Sequence, residues 1–476
     1  MIDNLNTLLF VIMAIPLFGI IFAGLSKENS NGRGHNVLAV GIFTVLSNLV
    51  VLWITARKVD FSGGAQHLSA KFEWLAVPKI ELIFELDFFS LLLIAAVHLA
   101  VLLGFIGVRN NNYRQKTLVI FALMFLEMIT GYFFASDLFS FYIFFEAMLL
   151  PLFMLVGIFG DSRRQDILYR FFLYNLLGAM LLFVALCILF NSENILIREM
   201  NRAVLSKHLE LLVWVSIFIA FLSRIPIWPF HYWLSSVNVN ISNPLVFIIA
   251  NIMPLTGVYG LIRFSPLTAP EILEPYLLFL EIVSITTMFI IALIGFSNRD
   301  IQYKIFSYMT VYYILYLLGA LLPTDALLAN IGFSLFAYLI VTAAIEIIVS
   351  HLEKERMCNG LNDCGILCSV PRSSFVLSFF ILAAVGLPLS SLFLNNMLIF
   401  AGLVNYNLKM AIFILSAIIL SSLSLLQHLF YLRYPQNETK TNENCIEDIS
   451  LPVFMVFALV MVLLVVSFVN PLWYME

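Results

Sequence analysis

Apolar runs of about 20 residues follow one another along the whole chain, separated by short polar stretches, and each run is long enough to cross a bilayer as a helix. About fourteen are delimited, near 7–25, 36–56, 87–108, 116–135, 138–159, 167–190, 209–230, 244–264, 276–296, 303–322, 325–350, 373–403, 409–432 and 451–470. Short loops take up the remainder, which leaves no room for a soluble catalytic domain. The polar stretches are Ser26–His35, Lys58–Lys71, Asn191–Lys207, His351–Asp363 and Pro435–Asp448. Between Lys71 and Leu86 charge alternates with bulky apolar residues, which reads either as a segment lying along the interface or as a solvated loop. The pattern predicts an all-α polytopic membrane protein, a single membrane domain over residues 1–476.

Composition agrees: 62% of residues are hydrophobic, 11% are charged, and mean hydropathy is +1.00. The start, Met-Ile-Asp-Asn, has no basic region, so the first run is expected to be a retained helix and not a cleaved leader. The net charge of −4 carries little information, because orientation follows Lys and Arg placement. Loops after odd-numbered spans hold most of these residues, including Arg109, Arg114, Lys116, Arg163, Arg164 and Arg170. Both termini are therefore expected on the non-cytoplasmic side. Five cysteines are scattered; Cys358, Cys364 and Cys368 share one loop with no standard metal or redox spacing, and read as reduced thiols. Lipid is the expected surroundings, and no nucleic-acid partner is expected.

Three spans are punctuated. Span seven ends in Arg224-Ile-Pro226-Ile-Trp228-Pro229-Phe-His231-Tyr-Trp233, span eight contains Pro254, and span twelve contains Gly386-Leu-Pro388-Leu-Ser390-Ser391 followed by Asn395-Asn396. Proline and glycine release helix hydrogen bonds, which is tolerated at depth only where protein or water replaces them. Spans seven and twelve are five apart. They correspond if spans four to eight (116–264) and nine to thirteen (276–432) are inverted repeats, an arrangement found in transporters.

Ionisable residues inside apolar spans mark ion or proton paths. Glu146 lies about nine residues into span five, or roughly 14 Å at ~1.5 Å per residue. Glu127 in span four is equally far from the shared turn at Ser136–Asp137; whether the two carboxyls face each other is open. Arg224 holds its charge and is expected to pair with Glu146, Glu127 or carbonyls freed at Pro226, unless it snorkels to the surface. Glu346 reads equally as an interfacial acid or a proton station. The tyrosines Tyr308, Tyr312, Tyr313, Tyr316 and Tyr338 can relay hydrogen bonds or simply pack.

Together these residues resemble the antiporter-like, proton-pumping subunits of respiratory complex I, which are related to subunits of multisubunit sodium/proton antiporters. The M-type subunit (mitochondrial subunit four) is the nearest match. Phe144-Phe145-Glu146-Ala147-Met148-Leu149-Leu150-Pro151 looks like its helix-five signature. The stretch from Arg224 to Leu234 looks like the family's Lys-x-Pro-x-x-Pro-x-His-x-Trp-Leu, and the pattern continues through Tyr259-Gly260-Leu261-Ile262-Arg263-Phe264. Several positions depart from it. The family's helix-seven lysine falls on Arg224 and its helix-eight lysine on Leu255. Its two histidines fall on Tyr313 and Tyr338, and the group ending its relay on Asn396. Of the main titratable positions only Glu146 is unchanged.

The resemblance implies a non-redox membrane-arm subunit of a proton-translocating NADH:quinone oxidoreductase in a bacterial inner or mitochondrial inner membrane. Its partners would be other membrane-arm subunits, and it would hold no flavin, iron–sulfur cluster, quinone or other cofactor. The candidate path residues are Glu146, Glu127, Arg224, Glu346, Tyr308, Tyr313, Tyr338 and Asn396, with helix breaks at Pro226, Pro229, Pro254, Gly386 and Pro388. Pumping is expected to be impaired, because Leu255 and Asn396 cannot carry protons. The alternatives are a subunit of a multisubunit cation/proton antiporter and a non-conducting structural paralogue.

Overall fold

The computed structural model describes residues 2–27, 35–59, 68–75, 80–108, 114–160, 163–190, 196–197, 205–264, 270–321, 325–359, 366–388, 390–434 and 447–469. Helices α1 (Ile2–Leu25) and α2 (His35–Lys58) precede a β-hairpin of β1 (Leu68–Leu75) and β2 (Ile80–Leu86). Then come α3 (Phe88–Val108), α4 (Gln115–Phe134), α5 (Leu138–Ala147), α6 (Leu149–Phe159), α7 (Arg164–Phe190), α8 (Lys207–Leu222), α9 (Tyr232–Asn240) and α10 (Pro244–Phe264). The second half holds α11 (Pro270–Ser297), α12 (Ile301–Ala320), α13 (Asp325–Asn359), α14 (Pro371–Val385), α15 (Ser391–Tyr406), α16 (Leu408–Arg433) and α17 (Leu451–Val469). Among the described residues, 10 helical stretches are long and apolar enough to cross a membrane.

The hairpin adds two strands to an otherwise helical fold and replaces the solvated-loop reading of Lys71–Leu86. A period of two in apolar residues, rich in aromatic and β-branched side chains, is the strand signature. Ala70 pairs with Phe84 and Phe72 with Leu82 across the antiparallel ladder. The hairpin docks on the turn between α4 and α5, where Ser136 N–H donates to Ile83 O (2.9 Å) and Ile83 N–H to Asp137 Oδ2 (2.7 Å). Asp137 also caps α5 by accepting from Ser140 N–H at 2.8 Å.

α10 and α13 run through the middle of the bundle, lined by α3, α8, α12 and α15. The rim helices present apolar side chains outward, such as Phe18, Phe22, Phe43 and Trp53, as expected of lipid-facing surfaces. Of the three cysteines grouped in sequence, Cys358 falls on α13 with its side chain outside the described residues, Cys364 lies outside them altogether, and Cys368 is an exposed free thiol.

Two of the three punctuated spans are broken, and span five is perturbed without breaking. Met148, between α5 and α6, keeps helical dihedrals (φ −66°, ψ −17°) within the continuous span Leu138–Phe159, where Pro151 has no N–H to donate to Ala147 O. Span seven breaks between α8 and α9, and span twelve between α14 and α15. Pro254, by contrast, breaks nothing: α10 runs continuously from Pro244 to Phe264, held on all sides by protein.

Candidate functional site

Arg224 follows the last turn of α8, where the chain tightens: its N–H bonds Phe221 O (3.1 Å) and Ile225 N–H bonds Leu222 O (3.1 Å). Pro226 and Pro229 then remove two donors. Other residues meet the freed groups. Trp233 Nε1 donates to Ser223 O at 3.1 Å, and Trp228 N–H donates to Thr287 Oγ1 at 3.2 Å. Gly257 of α10 permits this approach, since a Cβ there would lie 2.7 Å from Phe221 O.

The Arg224 side chain is fully buried, so it does not snorkel. Its Nη2 donates to Phe145 O at 2.5 Å, Nη1 reaches Met253 Sδ at 3.5 Å, and the guanidinium carbon lies 3.8 Å from the Phe145 ring centroid. Nε has no partner. Among the described residues no ion pair joins Arg224 to a carboxylate, and the expected pairing with Glu146 or Glu127 is corrected. The reason is orientation. Glu146 is exposed on the outer face of α5, beside Tyr142 and within electrostatic reach of Arg224, while its neighbour Phe145 turns inward. The Phe145 carbonyl on α5, not one freed at Pro226, takes the guanidinium.

Glu127 faces the other way. It is buried, and its Oε2 has no hydrogen-bond partner. The two carboxyls at equal distance from the turn are thus on opposite faces, one inside the bundle and one outside.

A polar and aromatic track runs from α10 into the second half. Asn238 and Asn251 exchange amide hydrogen bonds at 3.1 and 3.0 Å, and Tyr313 Oη donates to Asn251 O at 2.5 Å. The Tyr313 and Tyr338 rings meet edge to face with centroids 5.1 Å apart. Tyr338 also stacks on Tyr308 (6.0 Å) and meets Tyr316 edge to face (5.8 Å), and Tyr316 Oη donates to Asn396 Oδ1 at 3.2 Å. The Tyr308 and Tyr338 hydroxyls are buried without partners. Leu255 is fully buried beside this track and offers no polar atom. The track ends at the second broken helix. There Gly386, at φ 114°, closes α14, and Ser390 Oγ caps α15 by accepting from Phe393 N–H at 3.3 Å; Pro388 lies between them.

Glu346 is fully buried near the opposite end of the bundle from the hairpin. Ser350 Oγ donates to its Oε1 at 2.9 Å, Gln302 Nε2 stands 3.5 Å from the same oxygen, and Oε2 has no partner.

Sequence reasoning missed several polar residues. Lys304, at the start of span ten, is buried, with Nζ donating to Gln427 Oε1 (2.9 Å) and Ser424 O (3.2 Å). His98, a lone histidine in span three, is buried between Asn48 Nδ2 (3.0 Å) and Ile94 O (2.8 Å). At the hairpin end Arg263 pairs with Asp87 at 2.6 Å and donates to Tyr259 Oη at 2.8 Å. Burial pushes the Asp87 carboxyl up, but Arg263 and the Ser90 donors outweigh it and hold it below its ordinary 3.8. A charge inside the end of an apolar run was the available signal for Lys304 and Arg263.

Residues 135–422 match the family model described as the NADH:quinone oxidoreductase/Mrp antiporter transmembrane region. The chain belongs to this family. It is 28% identical to NADH-ubiquinone oxidoreductase chain 4 of Arabidopsis thaliana over 77% of this chain and 74% of that one. It is 25% identical to NADH-quinone oxidoreductase subunit M of Rhodobacter capsulatus, over 88% and 84%. Its fold matches a chain of respiratory complex I from Thermus thermophilus with bound NADH at TM-score 0.81 and 22% identity, covering 97% of this chain and 96% of that one. It also matches a chain of the membrane-bound sulfane sulfur reductase, an archaeal respiratory membrane complex, at TM-score 0.78 and 17% identity, covering 95% and 74%. The fold is that of a multi-pass membrane subunit of this family, with an arginine and a broken helix at the centre of its first half.

Proposed function

We propose that the chain is an M-type membrane-arm subunit of a proton-translocating NADH:quinone oxidoreductase, and that it conducts protons poorly along the family's central route. The observation that carries the second part is the track itself. Between Arg224 and Asn396 it offers tyrosine hydroxyls and amides, with Leu255 beside it, and no group there exchanges a proton readily at neutral pH. The fourteen apolar segments are its spans, with both termini on the non-cytoplasmic side, and residues 116–264 and 276–432 are its two inverted repeats. The chain holds no redox cofactor of its own; electron transfer belongs to partner chains.

Glu146 supports the partner assignment. An ionised carboxylate left to lipid near the midplane costs at least ~2.5–3.5 kcal/mol. The face carrying Glu146 is therefore covered by an adjacent membrane subunit that supplies a cation or hydrogen-bond donors.

Purification of the tagged chain in mild detergent, followed by identification of the co-purifying chains, tests this reading. NADH-oxidising and other membrane-arm subunits are expected; cation/proton antiporter subunits in their place would overturn it.

A further inference from the structure

A cavity of about 400 Å³ opens between the α9–α10 connection, the start of α12, α13 and α16. Arg299 and Asp300 stand at its mouth and are exposed, while Gln302, Glu353 and His428 line it further in. Gln302 belongs to both the cavity and the Glu346 site: its Nε2 lies 3.5 Å from Glu346 Oε1, and its own Oε1 is buried without a partner. Two acceptor oxygens, Gln302 Oε1 and Glu346 Oε2, thus lie unsatisfied behind an opening large enough for water.

We propose that Glu346 is a proton-binding site connected by this vestibule, past Gln302, to the aqueous phase at the α11–α12 end of the bundle. The proposal goes beyond the reading of the chain as a poorly conducting membrane-arm subunit and stands on this geometry. Burying a carboxylate without a counter-charge is costly, and a bound proton removes the charge and converts one acceptor oxygen into a donor. Among the described residues no cation forms an ion pair with Glu346. Lys304 on α12 is turned to Ser424 O and Gln427 of α16, and Glu353 on the same helix as Glu346 repels a second negative charge. His98 on α3 is committed to Asn48 and Ile94, Arg263 on α10 to Asp87 at the far end, and Arg372 on α14 donates to Ile449 O. No charged residue occurs on α15, and His428 on α16 faces the vestibule. Too few oxygens converge on Glu346 to replace a metal ion's hydration shell: one carboxyl, the Ser350 hydroxyl and one amide. The proton is the cation that fits.

Infrared difference spectroscopy on the detergent-purified native complex tests the site. The wild type is expected to show a protonated-carboxyl band at neutral pH that shifts promptly in D2O, and Glu346→Gln to lose that band. Val349→Trp, which fills the vestibule wall, should keep the band and slow its D2O shift several-fold; Leu352→Phe serves if that variant does not assemble. Absence of the band in the wild type, its persistence in Glu346→Gln, or an unslowed shift in the filled variant would overturn the proposal. So would displacement of the band by sodium chloride at constant pH, which marks a metal-cation site. The band reports on the site whatever chains co-purify: antiporter partners with the band intact sink the complex I reading alone. A missing band in an NADH-oxidising complex sinks the proton site alone.

Discussion

The two halves of the bundle break a central helix in different ways. Between α8 and α9 the break carries a charge, and distant residues stitch it: Trp233 on Ser223 O, Thr287 on Trp228 N–H, and Arg224 itself on Phe145 O. Between α14 and α15 the break carries no charge, and residues of the break close it, Gly386 ending one helix and Ser390 starting the next. A break that holds a buried cation depends on tertiary contacts for its stability, whereas one closed by its own caps does not. Change in the first half should therefore be more damaging than change in the second.

The sharpest way to break that contrast is Arg224→Ala. Lost packing around a fully buried side chain and an orphaned Phe145 carbonyl together should cost on the order of 3 kcal/mol. Thermal unfolding of the purified complex measures it; a loss no larger than that of Ser390→Ala, about 1 kcal/mol from a helix cap, would mean the two breaks are equivalent.

Glu146 and Glu127 sharpen the comparison within the first half. Glu146→Gln should weaken attachment to the neighbouring subunit roughly tenfold, or ~1.4 kcal/mol, while Glu127→Gln leaves attachment unchanged because its carboxyl faces the interior. Retention of each variant in the complex on dilution in detergent distinguishes them. Equal retention would remove the partner face from the Glu146 surface.

A smaller effect is expected along the tyrosine track. Tyr316→Phe removes the bond to Asn396 and should cost about 1 kcal/mol of stability without altering protons moved per electron pair. Leu255→Lys should not raise that ratio, since Tyr313, Tyr338 and Asn396 still interrupt the route. A change in the ratio in either variant would show conduction through this track.

The smallest effect concerns the strap before α17. Burial pushes the Asp448 carboxyl up, but donors from the Ser373 hydroxyl and from Arg372, Ser373 and Ile449 N–H outweigh it, leaving it below its ordinary 3.8. The unfolded group then binds protons more readily than the folded one. The strap's contribution is full above 3.8 and disappears as pH falls through the lower folded value. Hydrogen exchange of the first turn of α14 should accelerate only in that acidic window; acceleration in Asp448→Asn at neutral pH and none in Ser374→Ala would assign it to this carboxyl.

Much of this was legible in the sequence, and the limit falls at a definite place. Helix positions follow from apolar run length, the breaks at Pro226 and Gly386 from backbone chemistry, and the departures at Leu255 and Asn396 from residue identity alone. All of these are local properties. The facing of Glu146 and Glu127, the carbonyl that receives Arg224, the burial of Lys304 and the continuity of α10 through Pro254 were decided only by tertiary packing. In a soluble helix an apolar stripe shows which side is buried. A membrane helix is apolar all round, because lipid and core are alike to it, so its sequence fixes depth and leaves rotation to its neighbours.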